Sequence, residues 1–284
     1  MSAPLLPTAW GRHDLRWSER TFVMAILNVT PDSFSGDGLA GADPEAVAAA
    51  AERAVADGAH IIDIGAESTR PGHARVSADE ELTRLLPALR AVRARVAVPI
   101  SIDTSKAGVA EAALEAGADL VNDVRGLLAD PDLAAVVARA GVPAVLMHDA
   151  VPDGRGDLVA SVVRELSRRL DRALAAGIAW ESLIVDPGFG FGKDWRQNLE
   201  LLRRLGELRV LGRPILSGTS RKSTIGRVLG LPPGERLEGT AATVALAIQQ
   251  GADIVRVHDV LAMARVAAMT DAVVRAAPAE ERAW

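Results

Sequence analysis

The sequence contains no cysteine, and this absence excludes three kinds of chemistry. Without thiols the chain has no disulfide framework, no thiolate metal site and no cysteine nucleophile. Positive charge is not in excess either, because 32 Lys and Arg residues face 37 Asp and Glu residues, a formal net charge of −5. Proteins that bind nucleic acid usually carry a basic patch on a basic domain. We therefore expect no nucleic-acid partner.

Long apolar runs are missing as well. No uncharged stretch approaches the roughly 20 residues that span a bilayer, so we expect no membrane partner. The first ten residues, MSAPLLPTAW, lack the cationic start and apolar segment that are typical of a secretory signal peptide. Together with the missing cysteine, these absences predict a cytoplasmic protein.

What the chain does contain is a balanced composition, with 49% apolar residues, and a repeated unit. An Ala-rich helical segment ends at a glycine, a short apolar run follows, and polar residues close the unit. Each glycine stands where a helix end favours left-handed backbone. The apolar runs do not alternate, which is typical of parallel strands buried on both faces. The predicted strands are 22–27, 60–64, 98–102, 119–121, 143–147, 183–185, 214–216 and 253–257.

Eight such strand–helix units predict an α/β fold, a single (β/α)8 TIM barrel formed by residues 1–284 as one domain. A doubly wound open sheet shares the alternating pattern and remains the alternative. Residues 1–20, which include Trp10, His13 and Trp17, are predicted to cap the bottom of the barrel. No linker or change of composition marks a second domain.

Polar residues gather at the predicted carboxyl ends of the strands, where TIM barrels carry their chemistry. A barrel without a site has no need of so many amides and charges on one rim. Asp103 alone could equally cap the following helix. Together, Asp103, Asn122 and Asp186 suit a flat heterocycle with N–H and C=O edges. The strand-end residues are Asn28, Glu67–Arg70, Asp103, Asn122–Asp123, His148, Asp186, Ser220–Lys222 and Arg256–His258.

Four further segments are rich in glycine, proline or polar residues, and they indicate binding of an anion and substrate loops. Residues 217–222, S-G-T-S-R-K, precede an apparent helix start, where backbone N–H groups and two cations favour an anion. A basic first turn on a solvated helix is the alternative. Residues 28–38 and 68–72 form polar loops, and the longer exceeds the usual length of such connections, which is typical of binding loops. Residues 186–193, D-P-G-F-G-F-G-K, match neither a dinucleotide-binding fingerprint nor a Walker loop.

In order along the chain, L-N-V-T-P-D-S-F-S, I-D-I-G-A-E-S-T-R-P-G, I-S-I-D-T, N-D-V-R-G, D-P-G-F-G-F-G-K, S-R-K-S and R-V-H-D resemble the dihydropteroate synthases. The resemblance extends from about residue 22 to the last helix. It implies a transferase of folate biosynthesis that condenses 6-hydroxymethyl-7,8-dihydropterin diphosphate with 4-aminobenzoate, giving 7,8-dihydropteroate and diphosphate. It also implies small-molecule substrates, a homodimer and sensitivity of the family to sulfonamides.

The same resemblance implies roles for individual residues. Asn28 is expected to bind a Mg²⁺ cofactor that also holds the diphosphate. The implied catalytic residues are Asp103, Asp186, Lys222, Arg70, Arg256 and His258. The implied substrate-binding residues are Asp32, Phe34, Ser35, Thr69, Arg70, Pro71, Asp103, Asn122, Met147, Asp186, Phe191, Ser220, Lys222, Ser223, Arg256 and His258.

Two departures from the family pattern affect loops rather than the ring-binding set. The first loop contains S-F-S-G-D-G where relatives commonly have S-F-S-D-G-G, and Asp149 follows His148 in place of a second methionine. Two other functions remain possible on the same barrel. A pterin-dependent methyltransferase needs no diphosphate cradle, and a non-catalytic paralogue would bind a pterin without turnover.

Overall fold

The computed structural model describes residues 5–17, 19–30, 43–68, 76–151 and 156–275. Its strands confirm the predicted order, and most begin one or two residues later than predicted. Two short strands, absent from the prediction, form an antiparallel hairpin before the barrel. The hairpin strands are β1 (Thr8–Trp10) and β2 (His13–Leu15). The barrel strands are β3 (Phe22–Asn28), β4 (Ile61–Gly65), β5 (Ile100–Asp103), β6 (Leu120–Asp123), β7 (Ala144–Met147), β8 (Leu183–Asp186), β9 (Leu216–Ser217) and β10 (Ile254–Val257).

The eight barrel strands are parallel and follow one another in the sheet, with β10 pairing β3 on one side and β9 on the other. A parallel bridge between Val185 and Ile215 joins β8 to the segment before β9 and closes the sheet. An open, doubly wound sheet would leave two free edges, so this alternative is wrong. The closed (β/α)8 barrel is confirmed.

Helices follow the strands and cover the outside of the barrel. Two helices follow β9, where the repeated unit predicts one. Among the described residues, none of the helices is long and apolar enough to cross a bilayer. The helices are α1 (Pro44–Ala56), α2 (Ala78–Arg95), α3 (Ala107–Glu115), α4 (Leu133–Ala140), α5 (Leu158–Ala175), α6 (Trp195–Arg203), α7 (Ser223–Leu229), α8 (Leu237–Gln249) and α9 (Val260–Val274).

Local sequence explains where several helices begin and end. Asp157 accepts a hydrogen bond from the amide of Ala160 at the start of α5, and Asp194 forms a capping box with Gln197 at the start of α6. These contacts satisfy amides that have no partner within the helix. Gly141 ends α4 with a φ of +64°, a left-handed conformation that glycine adopts without steric cost.

The inside of the barrel changes character along its axis. At the bottom, an apolar layer that includes Met24, Ile61 and Ile254 packs against Trp10 and Trp17 of the amino-terminal segment. The predicted cap over the barrel bottom is therefore confirmed. Because alternate residues of a strand face the same side, residues two and four positions further along each strand face the interior nearer the carboxyl end. On the strands of Met24, Ile61 and Ile254, most of those positions are polar, and they contribute to the site described next: Asn28, Asp63, Arg256 and His258.

Candidate active site

A row of residues crosses four neighbouring strands at the carboxyl end of the barrel. In the strand register Asn28 lies beside Gly65, Gly65 beside Asp103, and Asp103 beside Asn122. Gly65 adds no side chain to the row: a Cβ there would lie 3.7 Å from Asn28 Oδ1 and 3.8 Å from Asp103 Oδ2. Three of the sequence-predicted site residues are thus brought together around an open position.

Arg256 links this row to a buried carboxylate beneath it. Its Nη2 donates to Asp103 Oδ2 at 2.9 Å, and its Nε donates to Asp63 Oδ2 at 2.6 Å. Asn122 Nδ2 donates to the same Asp63 oxygen at 3.2 Å. The second carboxylate oxygens of Asp63 and Asp103 are buried and have no hydrogen-bond partner among the residues that the structure describes. Unpaired buried acceptors are costly, and in a binding site a ligand can satisfy them.

Burial sets the charge states in this network. It raises the pKa of Asp103 to about 7, an effect that Arg256 opposes and that the negative charge of Asp63 reinforces. For Arg256, burial disfavours the charged form, yet Asp63 and Asp103 more than offset it and raise the pKa of the guanidinium. Strongly perturbed carboxylates beside a held cation are typical of functional sites.

The opposite side of the rim carries Asp186, Lys222 and Phe191. Asp186 is buried at the end of β8, and its Oδ1 accepts a hydrogen bond from the amide of Gly188 at 2.7 Å. Burial raises the pKa of Asp186, whereas that amide and the charge of Lys222 oppose the rise. Lys222 Nζ lies 4.5 Å from the centre of the Phe191 ring. A cation over an aromatic face is an attractive arrangement, so the two side chains form one wall.

His258 and Ser220 form a pair behind Lys222. Ser220 Oγ lies 3.0 Å from His258 Nδ1 and accepts the backbone amide of His258 at 3.2 Å. Burial, followed by the charges of Arg256, Arg221 and Lys222, lowers the pKa of His258 to about 3. The imidazole is therefore neutral at physiological pH. With Ser220 donating to Nδ1, the imidazole keeps its proton on Nε2, where it can donate to a ligand.

The S-G-T-S-R-K segment does not supply two cations to the same place. Arg221 forms a two-point ion pair with Asp259, at 2.9 and 2.6 Å. Lys222 instead approaches Phe191, and Ser223 begins α7 at an exposed position. The predicted helix start is confirmed, but the anion-binding contribution expected of Arg221 is directed to a carboxylate.

Met147 ends β7 and lies buried beside Asp186 in the strand register. Asp149, the departure from the family pattern, binds the buried Arg169 of α5 at 2.7 Å and Arg125 at 2.9 Å. Arg169 also donates to the carbonyl of Met147. The substitution of an acidic residue is thus matched by two arginines, and the carboxyl end of β7 is held in place.

Some predicted site residues lie outside the described part of the chain, and two residues of this region were not predicted from the sequence. The predicted loop residues Asp32, Phe34, Ser35, Thr69, Arg70 and Pro71 lie outside the described residues and stay predictions. Asp63 belongs to the site and Lys193 lies beside it, but neither is among the residues predicted from the sequence. Asp63 lies in the apolar run I-I-D-I, where a charge is expensive unless it is paired, and this cost is the signal that identifies it.

Comparison with known proteins agrees with this geometry. Residues 24–258 match the family described as "Pterin binding enzyme". The chain is 49% identical over 258 residues to the dihydropteroate synthase of Bacillus subtilis, covering 91% of this chain and 90% of that one.

Two solved structures are similar throughout. The dihydropteroate synthase of Clostridium difficile, solved in the presence of pteroic acid, has a TM-score of 0.86 and 48% identity, covering 91% of this chain and 98% of that one. The enzyme of Xanthomonas albilineans with 4-aminobenzoic acid has a TM-score of 0.83 and 44% identity, covering 90% and 94%. With a matching family profile, close relatives and a barrel rim built from the expected residues, the chain belongs to the pterin-binding enzymes as a member of the dihydropteroate synthase family.

Proposed function

We propose that the protein condenses 6-hydroxymethyl-7,8-dihydropterin diphosphate with 4-aminobenzoate, releasing diphosphate and 7,8-dihydropteroate for folate synthesis. The observation that carries the proposal is the buried network of Arg256 with Asp63, Asp103 and Asn122. It offers unpaired carboxylate oxygens and an amide to a planar heterocycle at the barrel mouth. Two related dihydropteroate synthases have been solved with pteroic acid and with 4-aminobenzoic acid, which supports the proposed substrates.

In this proposal the pterin lies over the Arg256 guanidinium, which its two carboxylate partners keep in place. Asp103 and Asn122 pair with one edge of the ring, and Asp186 and Lys222 with another. These groups are already oriented, so binding pays little additional cost for ordering side chains. Met147 contributes apolar surface beside Asp186, with which it is paired in the strand register.

The diphosphate lies toward Lys222, Ser220 and His258, with Arg70 as a further ligand predicted from the sequence. The neutral His258 contributes a hydrogen-bond donor rather than a full positive charge. When the C–O bond to the diphosphate breaks, positive charge develops on the pterin methylene. The carboxylates of Asp103 and Asp186 stabilise this charge because they lie in a buried, preorganised setting.

The amine of 4-aminobenzoate then forms the new C–N bond and loses one proton. No enzyme nucleophile is required, in agreement with a chain that contains no cysteine. We place this second substrate beside Phe191, Lys222 and Ser223. The loop residues Asp32, Phe34, Ser35, Thr69, Arg70 and Pro71 are proposed to complete its pocket and exclude water.

A Mg²⁺ ion is the proposed cofactor, with Asn28 as its protein ligand. Within the described ranges, no group of three or more His, Cys, Asp or Glu side chains could hold a metal. The donor set nevertheless fits Mg²⁺, which often keeps several waters and is completed by substrate phosphates. Asn28 supplies an oxygen above the open position at Gly65. When bound, the ion would neutralise negative charge on the departing diphosphate.

Asn28→Ala tests the assignment of this ligand. We expect the Mg²⁺ concentration for half-maximal activity to rise about tenfold, the lower range for loss of a metal-supporting contact. A titration of diphosphate release against Mg²⁺ measures it. An unchanged titration curve would argue against metal ligation by Asn28.

We further propose that residues 1–284 act as one domain, that the protein is cytoplasmic and that it forms a homodimer. The dimer is supported by large apolar side chains exposed on helices α8 and α9, which pack on each other. Leu246, Leu261, Met269 and Val273 are 46–71% exposed. Analytical ultracentrifugation of the wild type and of Met269→Glu tests it: a dimer that the variant converts to a monomer is expected, and a monomeric wild type would contradict it.

The reaction itself is tested by measuring diphosphate release from the purified protein with the pterin diphosphate, Mg²⁺ and 4-aminobenzoate. We expect release coupled to dihydropteroate formation, and inhibition by a sulfonamide. Tight pterin binding without release would indicate a non-catalytic protein. Methyl transfer from a folate to a corrinoid protein would indicate the methyltransferase alternative.

A further inference from the structure

Lys193 is a buried cation near the site that the proposed mechanism does not use. The residue is 8% exposed. Its Nζ donates to the carbonyl oxygens of Gly188 at 3.1 Å, Phe191 at 3.0 Å and His148 at 3.3 Å. It also lies 2.9 Å from His148 Nδ1. Two of these partners belong to the loop 187–192, and His148 directly follows β7.

The charge states make Lys193 the donor in these contacts, with its three N–H groups shared among the four acceptors. Burial, with the nearby charge of Lys193, lowers the pKa of His148 to about 3, so its imidazole is neutral and Nδ1 can accept. Burial also lowers the pKa of Lys193 to about 8. Lys193 therefore ties the loop after β8 to the end of β7.

The loop lies unusually close to the backbone that follows β7. Gly188 and Gly192 both have positive φ. A Cβ at Gly188 would lie 1.9 Å from the carbonyl oxygen of His148, and a Cβ at Gly192 would lie 2.6 Å from that of Ala150. Such an approach is open only to glycine. Apart from Lys193, the loop is held by Asn198, whose Oδ1 accepts the amide of Gly190 at 2.9 Å.

Phe191 depends on this arrangement more than Asp186 does. The Phe191 amide donates to the carbonyl of Gly188 in the same loop at 3.1 Å, and the Phe191 carbonyl accepts from the side chain of Lys193. Neither of these two backbone bonds is made to a barrel strand. Asp186 instead belongs to β8, and its carbonyl accepts the amide of His148 at 2.9 Å. Loss of Lys193 should displace the phenyl ring from Lys222 while leaving the carboxylate in place.

We propose that Lys193 is a positioning residue that sets Phe191 against Lys222 and thereby determines how well the second, amine-bearing substrate binds. The inference rests on the proposed function, which places 4-aminobenzoate beside Phe191. It differs from a purely structural role because the effect of Lys193 falls on one substrate and not on the other.

Lys193→Met tests this by removing the donor while keeping most of the volume. We expect the KM for 4-aminobenzoate to rise about tenfold, the size expected for lost hydrogen bonds to a charged group, with the KM for the pterin diphosphate changed less than about twofold. The matched control is Arg213→Met. Arg213 is also buried and donates to carbonyls of Leu183 and Glu181, but at the opposite end of the barrel. The Arg213→Met variant should have a lower melting temperature than the wild type and unchanged KM values for both substrates.

A chemical rescue experiment distinguishes the effect of the Lys193 amine from the effect of side-chain packing at this position. Because the chain has no cysteine, Lys193→Cys introduces one thiol that 2-bromoethylamine alkylates in the unfolded chain, with the thiolate displacing bromide. After refolding, the restored amine should return the KM for 4-aminobenzoate to near the wild-type value, whereas the unmodified variant should not. If Lys193→Met does not fold, the unmodified Lys193→Cys serves as the variant without the donor.

The outcomes are distinguishable from failure of the proposed function. An inactive wild type would overturn the function itself. An active wild type in which the Lys193 variants change neither KM, or raise both equally, would overturn the positioning role. Equal KM values for the alkylated and unmodified forms of Lys193→Cys would overturn it as well.

Discussion

The hydrogen-bond partners of buried charged side chains differ between Asp253 and Arg213 at the bottom of the barrel and the Arg256 network at the top. At the bottom, two buried charged side chains bind the backbone of neighbouring strands. Asp253 accepts the amide of Ile215 at 3.0 Å, and Arg213 donates to the carbonyl of Leu183 at 2.9 Å. These partners are fixed by the fold, so their hydrogen bonds stabilise the barrel and cannot be given up to a ligand.

At the top, charged side chains bind other side chains. Arg256 joins Asp63 and Asp103, and Asn122 donates to Asp63. Among the described residues, Asp63 and Asp103 each keep an unpaired oxygen, as Asp253 does at the bottom. What differs is the partner, because a side chain can turn toward a ligand whereas the backbone of a strand cannot. The difference separates a stabilising end from a binding end. Some charged side chains at the top also bind backbone groups, among them Asp186, Arg169 and Lys193, and Lys193 does so in the manner of Arg213.

Trp17→Ala should have the largest effect, and it should fall on stability alone. Trp17 is 4% exposed, donates to Thr8 Oγ1 at 3.0 Å and packs edge-on against Phe22. We expect a loss of about 3–5 kcal/mol in the free energy of unfolding, the usual cost of truncating a buried tryptophan. Urea unfolding measures it, and both KM values should remain unchanged. A large change in KM would mean that the cap communicates with the site.

Asp103→Asn should have the opposite profile. The asparagine amide keeps the shape of the carboxylate but lacks the negative charge that stabilises positive charge on the pterin. We expect kcat/KM for the pterin diphosphate to fall about 10²- to 10³-fold, as for loss of one preorganised electrostatic contact. The matched control is Asp253→Asn at the bottom, which should leave kcat/KM unchanged. Equal losses in the two variants would contradict the division between the two ends.

This division was only partly predictable from sequence. The eight strands and the rim residues could be identified because glycine, apolar runs and polar ends recur in a fixed order. Asp103, Asn122 and Asp186 each follow an apolar run, and the structure places them on one rim. Local periodicity is enough for such assignments, because the closed barrel brings every carboxyl end to the same place.

Pairing between distant residues could not be predicted in this way. Arg256 and Asp63 are separated by 193 positions, and nothing local marks them as partners. Lys193 looked like the end of a glycine-rich loop, whereas its four acceptors become visible only when β7 and the loop after β8 are adjacent. The hairpin was missed because β1 and β2 have three residues each, too few for a recognisable alternation.

Asp63→Asn tests whether the carboxylate beneath Arg256 orients it for the pterin. The amide oxygen can still accept one hydrogen bond, but the charge that holds the guanidinium is lost. We expect the KM for the pterin diphosphate to rise about tenfold, the lower range for a hydrogen bond to a charged group. The KM for 4-aminobenzoate should change less, which makes this variant the converse of Lys193→Met. A selective change in the 4-aminobenzoate KM would contradict the assignment.

The smallest predicted effect is a pH dependence of stability that arises at the top of the barrel. Burial raises the pKa of Asp103 from 3.8 to about 7, so the folded state binds this proton more tightly than the unfolded state does. The resulting stabilisation is lost as the pH rises through 7. Asp103→Asn has no charge to bury. We therefore expect its melting temperature, relative to the wild type, to be on the order of 5 °C higher at pH 8 than at pH 5.

Differential scanning calorimetry at the two pH values measures this shift. A difference between variant and wild type that is independent of pH would show that Asp103 ionises as an ordinary exposed carboxylate does. The expected result would mean that the same charge lowers stability and supports turnover, because an ionised, incompletely paired carboxylate is costly until the pterin binds it. The variant Asp253→Asn separates the effect of burial from that of function. Burial raises the pKa of Asp253 too, so the melting temperature of this variant relative to the wild type should change with pH in the same direction. Its turnover should equal that of the wild type.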